Sequence, residues 1–304
     1  MIKTLFVTML LISFFSLWNA RESEESSHFE NCKICGYFVV PLIFNGIPMQ
    51  PMRKYPWIVL VAAEGTVCSG ALISSNFVLT AAHCVVTYNF PPNWNFQPMN
   101  IPYGTPLYRL REPYEMIVKM LPAGKGLGES NFTVSKIIPH PYYPIHGQFV
   151  PGMYDIALLQ LSEEILCGIS YPVPICLHRP GMQDALGKIF IAGFGRQNET
   201  QIEVPTLREG ALIRSFDKER CKMMDFTMTM CLLESNQTVC HGDSGSSAFQ
   251  KFGHFWYSVG VSSGRRGVRC DPLEPSYFTR TAMHFRWIQE HVKNLPMPHN
   301  NRFN

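Results

Sequence analysis

The chain has 304 residues, of which 46% are hydrophobic and 16% charged, with a formal net charge of +3. That balance belongs to a folded globular protein and argues against a disordered one. The small charge, with no long basic run and no interleaving of aromatic and basic residues, argues against a nucleic-acid partner.

Lys3, the apolar run Leu5–Trp18 and the small residue Ala20 ahead of the charged stretch Arg21–Glu25 form a signal peptide over residues 1–20. The run is shorter than the about 20 residues that a membrane helix needs, so no membrane partner is expected. A short uncleaved anchor is the competing reading. The chain is therefore expected to be secreted and extracellular. Glu22–Glu30 is polar and reads as disordered, within a leader or propeptide over 21–42. From Trp57 onward come short apolar runs: Trp57–Val61, Ala71–Ile73, Phe77–Thr80, Ile156–Leu159, Ile189–Ala192 and Tyr257–Val261. Pro, Gly and Asn clusters separate them and helical periodicity is nearly absent, which predicts an all-β sandwich or barrel. No fixed period recurs, which excludes a propeller or solenoid. The stretch Val85–Ser130, rich in Pro, Gly and Asn, reads as a long surface loop with local packing. Near the end, Phe285, Ile288 and Val292 share one helical face. Pro296 and Pro298 stop that helix, leaving residues 295–304 as a mobile tail.

All ten cysteines follow the signal peptide, an even number that predicts disulfides in a secreted chain. The CxxC of Cys32 and Cys35 has no second ligand pair at zinc-finger spacing, so neither a metal nor a cofactor is expected. Asn131, Asn198 and Asn236 each stand two residues before a threonine and are candidate glycosylation sites.

Three local sequences carry chemistry together. His83 follows an apolar run in Thr80–Cys84, Asp155 opens another in Asp155–Leu159, and Ser244 lies in Gly242–Gly245. Acyl transfer from a peptide needs an activated hydroxyl, a base beside it and a carboxylate that fixes the base. Ser244, His83 and Asp155 supply these as a candidate catalytic triad. The backbone N–H groups of Gly242 and Ser244 are the candidate oxyanion hole.

From about Ile43 to Asn294 the sequence resembles the trypsin and chymotrypsin family. Pro56-Trp57, the hairpin segment Cys68–Ile73, the Gly193-Phe194-Gly195 triplet and Trp287-Ile288 carry the likeness beside the three motifs. The resemblance implies two six-stranded antiparallel barrels with a C-terminal helix and a cleft between the barrels, in a protease domain over 43–294. It implies the disulfides Cys68–Cys84, Cys221–Cys231 and Cys240–Cys270. It also implies Cys35–Cys176 and Cys32–Cys167, with the reverse assignment of Cys32 and Cys35 open. A further family bridge would need cysteines near Ile189 and Gln250, and both are missing. Protein or peptide substrates are implied, with an activating protease or a protease inhibitor as further partners.

The family matures by cleavage after Lys or Arg, which frees a terminus whose ammonium pairs with the Asp before the nucleophile. Asp243 is that residue and Ile43 the matching terminus, but Leu42 precedes Ile43, and no Lys or Arg lies between Lys33 and Arg53. The specificity pocket falls to Thr238, Ser262, Gly264 and Ser276. Thr238 stands at the base where an Asp would select basic residues, and Ser276 replaces a glycine of the wall. The usual Ser-Trp-Gly reads Ser262-Ser263-Gly264, with one residue deleted. Arg265, Arg266 and Arg269 crowd the adjoining loop as a solvated face. A sequon at Asn236 would put a glycan against a pocket base that is buried in relatives, which predicts an unused site. These residues predict a secreted serine endopeptidase preferring a small or medium neutral P1 residue. The alternative is a non-cleaving homologue that binds or regulates a partner.

Overall fold

Short apolar runs, most of them buried on both faces, give fifteen strands among the residues described by the computed structural model, which are 32–37, 54–88, 108–120, 130–143, 153–167, 172–196, 207–222, 225–234, 236–265 and 270–298. The first eight are β1 (Ile58–Ala63), β2 (Thr66–Leu72), β3 (Phe77–Thr80), β4 (Val86–Tyr88), β5 (Tyr108–Leu110), β6 (Met116–Met120), β7 (Ser130–Pro139) and β8 (Ala157–Leu161). β1, β2, β3, β8, β7 and β6 close into an antiparallel barrel, while β4 and β5 pair as a separate ribbon. The rest are β9 (Cys176–Leu177), β10 (Lys188–Gly193), β11 (Arg208–Ser215), β12 (Thr229–Leu233), β13 (Ser247–Phe252), β14 (Phe255–Arg265) and β15 (Ser276–Arg280). Of these, β13, β10, β11, β12, β15 and β14 run in that order, and β14 pairs back to β13 to close the second barrel. The two-residue β9 joins β14 in parallel. The single α-helix of the described residues, α1 (Thr281–His291), buries Trp287 and Ile288 against the core, and Val292 caps it. Among the described residues no helix is long and apolar enough to cross a membrane.

One core runs across both barrels, from Trp57, Leu72 and Leu79 to Phe194, Phe249 and Ile288. Tyr55 and Trp57 meet Phe249 of the second barrel at ring-centroid distances of 4.8 and 5.5 Å. Burial of each such ring contributes about 1.5–3 kcal/mol, so the barrels are held together by apolar packing along the floor of the cleft. The second barrel has its own interior of Ile189, Ile191, Leu212, Leu232, Val259 and Phe278. Where the family bridge near Ile189 and Gln250 is missing, Gln250 Nε2 donates to the carbonyls of Leu186 and Lys188, tying β13 to the start of β10.

Two expectations need correction. The stretch Val85–Ser130 is not simply a surface loop, because β6 within it is a strand of the first barrel. Its Met116, Val118 and Met120 point inward while Ile117 faces out. The tail from residue 295 is also partly built into the fold. Met297 N–H donates to the Lys33 carbonyl at 2.9 Å, and Cys35 N–H donates to the Met297 carbonyl at 3.3 Å. Segment 32–37 is joined to the barrels by Cys32–Cys167 and Cys35–Cys176. The other bridges are Cys68–Cys84, Cys221–Cys231 and Cys240–Cys270, so all five run as the resemblance implies. The expected signal peptide over residues 1–20, Glu22–Glu30, Leu42 and Ile43 lie outside the described residues.

Candidate active site

After β3 the chain makes a tight 3-10 turn over Ala82–Val85, and the Cys68–Cys84 bridge holds that turn to β2. The turn presents His83 at the cleft with its side chain 28% exposed, while the Asp155 side chain beside it is 0% exposed. His83 uses both of its nearby N–H positions on this carboxylate. Its backbone N–H donates to Asp155 Oδ1 at 2.9 Å, and Nδ1 lies 2.7 Å from Oδ2. Burial works to lower the His83 pKa, but the charge of Asp155 and its hydrogen bond outweigh burial and raise it above 6.5. The resulting tautomer carries its proton on Nδ1 and leaves Nε2 bare.

Asp155 is itself fixed from three sides. Ser263 Oγ donates to its Oδ2 at 2.5 Å, and Thr279 Oγ1 donates to its carbonyl at 3.0 Å. The preceding Tyr154 has φ 55°, a conformation costly for a side chain of that size. Its ring stacks on His140 at 4.9 Å, and His140 packs in turn on His284 at 4.8 Å. Burial pushes these histidines down, His140 to about 4 and His284 to about 3, so both are neutral packing groups at physiological pH. Sequence reasoning missed Ser263. A bulge in the β14–β15 register, between Ser262 and Gly264, turns this residue toward Asp155. Ser262 instead pairs through its backbone with Gly245 and Ser246 at 2.8 Å.

Ser244 sits on the loop before β13, with its carbonyl accepting from Ser69 N–H at 2.8 Å. Gly242 has φ 102°, and a Cβ there would press on the Phe194 carbonyl and the Gly195 Cα. Only glycine fits this turn. Asp243 points away from that cleft. Its Oδ1 accepts from Gly195 N–H at 2.8 Å and its Oδ2 from Cys240 N–H at 2.9 Å. Burial pushes the carboxyl up to about 6 even though both bonds pull it down. Among the described residues no cation pairs with it. A cavity of about 240 Å³ opens beside it, lined by Gly193, Gly195, Gly210, Thr238 and Val239.

Of the expected pocket residues, Thr238 and Ser276 meet directly, their hydroxyl oxygens 3.1 Å apart. Gly264 lies on β14 opposite Tyr277, with Arg265 next to it opposite Ser276. Arg266 and Arg269 lie outside the described residues, as does Asn198. Asn131 and Asn236 are both exposed, and Thr238, two residues after Asn236, is half-buried. Cys68, His83 and Cys84 are the one grouping of metal-type side chains among the described residues. Both sulfurs are joined in a disulfide, which leaves a metal only one imidazole there.

The sequence matches the family model described as Trypsin over residues 43–288. It is 29% identical to the CLIP domain-containing serine protease B15 of Anopheles gambiae, with 88% of this chain and 83% of that protein covered. It is 26% identical to Ovochymase-2 of Mus musculus over 79% of this chain and 39% of that protein. Serine protease 28 of Mus musculus is 23% identical, with 83% and 90% covered.

Proposed function

The chain belongs to the trypsin family of serine proteases, and on that premise we propose that it is a secreted endopeptidase acting through Ser244, His83 and Asp155. Ser244 Oγ attacks the scissile carbonyl carbon while His83 Nε2 takes its proton. The carbonyl oxygen becomes an oxyanion at the N–H groups of Gly242 and Ser244. Collapse expels the amine, which receives the proton from His83 and leaves an acyl-enzyme. Water then attacks with His83 again as base, and the acid product leaves as Ser244 regains its proton. The observation that carries this reading is the fully buried Asp155 bonded to both His83 N–H positions.

Thr238 and Ser276 hydroxyls bonded across the pocket base shorten it and offer no counter-charge, which supports a small or medium neutral P1 residue in a protein or peptide substrate. Five disulfides support an extracellular site of action. The exposure of Asn131 and Asn236 supports glycosylation at both. For maturation, a protease cuts after Leu42, and the new ammonium of Ile43 enters the cavity beside Asp243. An activating protease, and an inhibitor that fills the cleft, are the partners this reading requires.

Labelling with a fluorophosphonate tests the proposal. Protein cut after Leu42 labels at Ser244, at a rate that rises with pH through an apparent pKa above 6.5, because only neutral His83 acts as base. The sign is opposite for stability: the charged His83–Asp155 pair stabilises the fold below 6.5 and is lost as pH rises through the raised value. Absence of labelling in the cut protein would sink the proposal. It would leave the second reading, a non-cleaving homologue that binds or regulates a partner, which the lack of any Lys or Arg between Lys33 and Arg53 favours.

A further inference from the structure

Ser69 on β2 is 0% exposed and lies where the first barrel touches the Ser244 loop. Every polar group it has is engaged. Its N–H donates to the Ser244 carbonyl at 2.8 Å, and its carbonyl accepts from Thr80 Oγ1 at 2.9 Å. Its hydroxyl donates to the Gly242 carbonyl at 2.8 Å and accepts from Phe194 N–H at 3.0 Å. One oxygen atom therefore joins three segments: β2, the turn after β10, and the loop that carries the oxyanion donors.

The position of Gly242 explains why this matters. Glycine has no side chain to restrict rotation, so a peptide at φ 102° keeps its orientation only through its hydrogen bonds. The peptide before Gly242 is held by Arg196 N–H, which donates to the His241 carbonyl at 2.8 Å. The peptide after it is held at its oxygen by the Ser69 hydroxyl and at its N–H by the Cys240 carbonyl, 2.9 Å away. With both planes held, the backbone angles at Gly242 are fixed. If the Ser69 bond is released, the second plane keeps one bond of two, and the turn at Gly242 can relax about the angles that set one plane against the other. Donors aimed in advance at the developing charge are the largest single contribution in acyl transfer.

We propose that Ser69 is a positioning residue, whose hydroxyl holds the oxyanion hole in shape by tethering Gly242 across the barrel boundary. This rests on the reading of Ser244 as nucleophile. The test uses the full chain cut after Leu42, as wild type, Ser69→Ala and Ser69→Thr. One peptide amide substrate is assayed, together with a peptide aldehyde, whose adduct carries an oxyanion, and the matching alcohol, whose complex carries none. In Ser69→Ala, kcat falls by about tenfold or more with KM within about twofold, since a tether costs less than a lost donor. Aldehyde affinity falls in parallel, alcohol affinity does not, and Ser69→Thr keeps most of the activity.

A kcat within about twofold of wild type overturns the inference, as does equal weakening of aldehyde and alcohol. Loss of a cooperative melt in Ser69→Ala overturns it too, because the hydroxyl would then be an element of folding. If wild type itself does not label with fluorophosphonate, the catalytic reading fails instead. The tether is then read by hydrogen exchange at the Gly242 amide. Faster exchange in Ser69→Ala supports it, and unchanged exchange overturns it.

Discussion

Asp155→Asn will lower kcat by about 10⁴-fold while leaving KM near that of wild type, the scale of an imidazole held in the wrong tautomer. The amide oxygen can keep the bond from the His83 backbone N–H, now 2.9 Å from Oδ1. The amide nitrogen then takes the Oδ2 position, where it faces His83 Nδ1 and the Ser263 hydroxyl. Two donors cannot share that line, so the imidazole gives up the Nδ1 proton and carries it on Nε2. In that state it cannot receive the proton of Ser244. Turning the amide round restores Nδ1 but breaks the backbone bond. With the side chain 0% exposed, water offers no third arrangement. Steady-state kinetics with thermal melts check this, and a loss under about a hundredfold in a folded variant would remove Asp155 from its orienting role.

Asp243→Asn is expected to cost about 10²–10³-fold in kcat/KM for protein cut after Leu42, and to change the uncut protein little. A buried ion pair that loses one partner forfeits several kcal/mol, and Asp243 lies between Gly242 and Ser244 in one loop. The pH dependence gives a second readout. In the uncut chain the folded carboxyl is raised from 3.8 to about 6. The folded state then holds its proton more tightly than the unfolded state, so stability falls as pH rises through that window, by roughly 3 kcal/mol in full. An ammonium beside Asp243 reverses the sign, because the pair favours the charged form and its stability is present above 3.8. Cutting therefore raises Tm at about pH 7.5 and does much less at about pH 3, where the carboxyl takes up its proton, while the Asn variant loses that difference. Identical melts of cut and uncut protein at both pH values would refute the pairing. Gly195 belongs to the same device, since a Cβ there would overlap the Asp243 carboxylate.

Much of this site was legible because its informative residues are local in sequence. His83, Asp155 and Ser244 each stand in a short stretch whose flanks carry meaning, and the barrel strands around them are plain apolar runs. β6 was hidden because methionines carry two of its three inward positions, inside a stretch full of Pro, Gly and Asn. The tail was misread because Pro296 and Pro298 do end helices, yet Met297 between them offers both main-chain groups to the leader. Ser263 could not be told from Ser262 without the bulge that separates them. Ser69 gave no signal because its hydroxyl partners lie 125 and 173 residues away. Contacts of that separation follow from barrel closure, which short-range pattern does not encode.

The leader has a bearing on what circulates. A cut after Leu42 breaks one peptide bond, but Cys32–Cys167 and Cys35–Cys176 both lie across it, and Met297 clasps the same segment. The two pieces form a covalent pair of fixed one-to-one stoichiometry, which dilution does not separate. At the millimolar local concentrations typical of a tether, anything that recognises the leader remains beside the cleft after maturation. After such a cut, only a reductant that opens both bridges would separate segment 32–37 from the barrels.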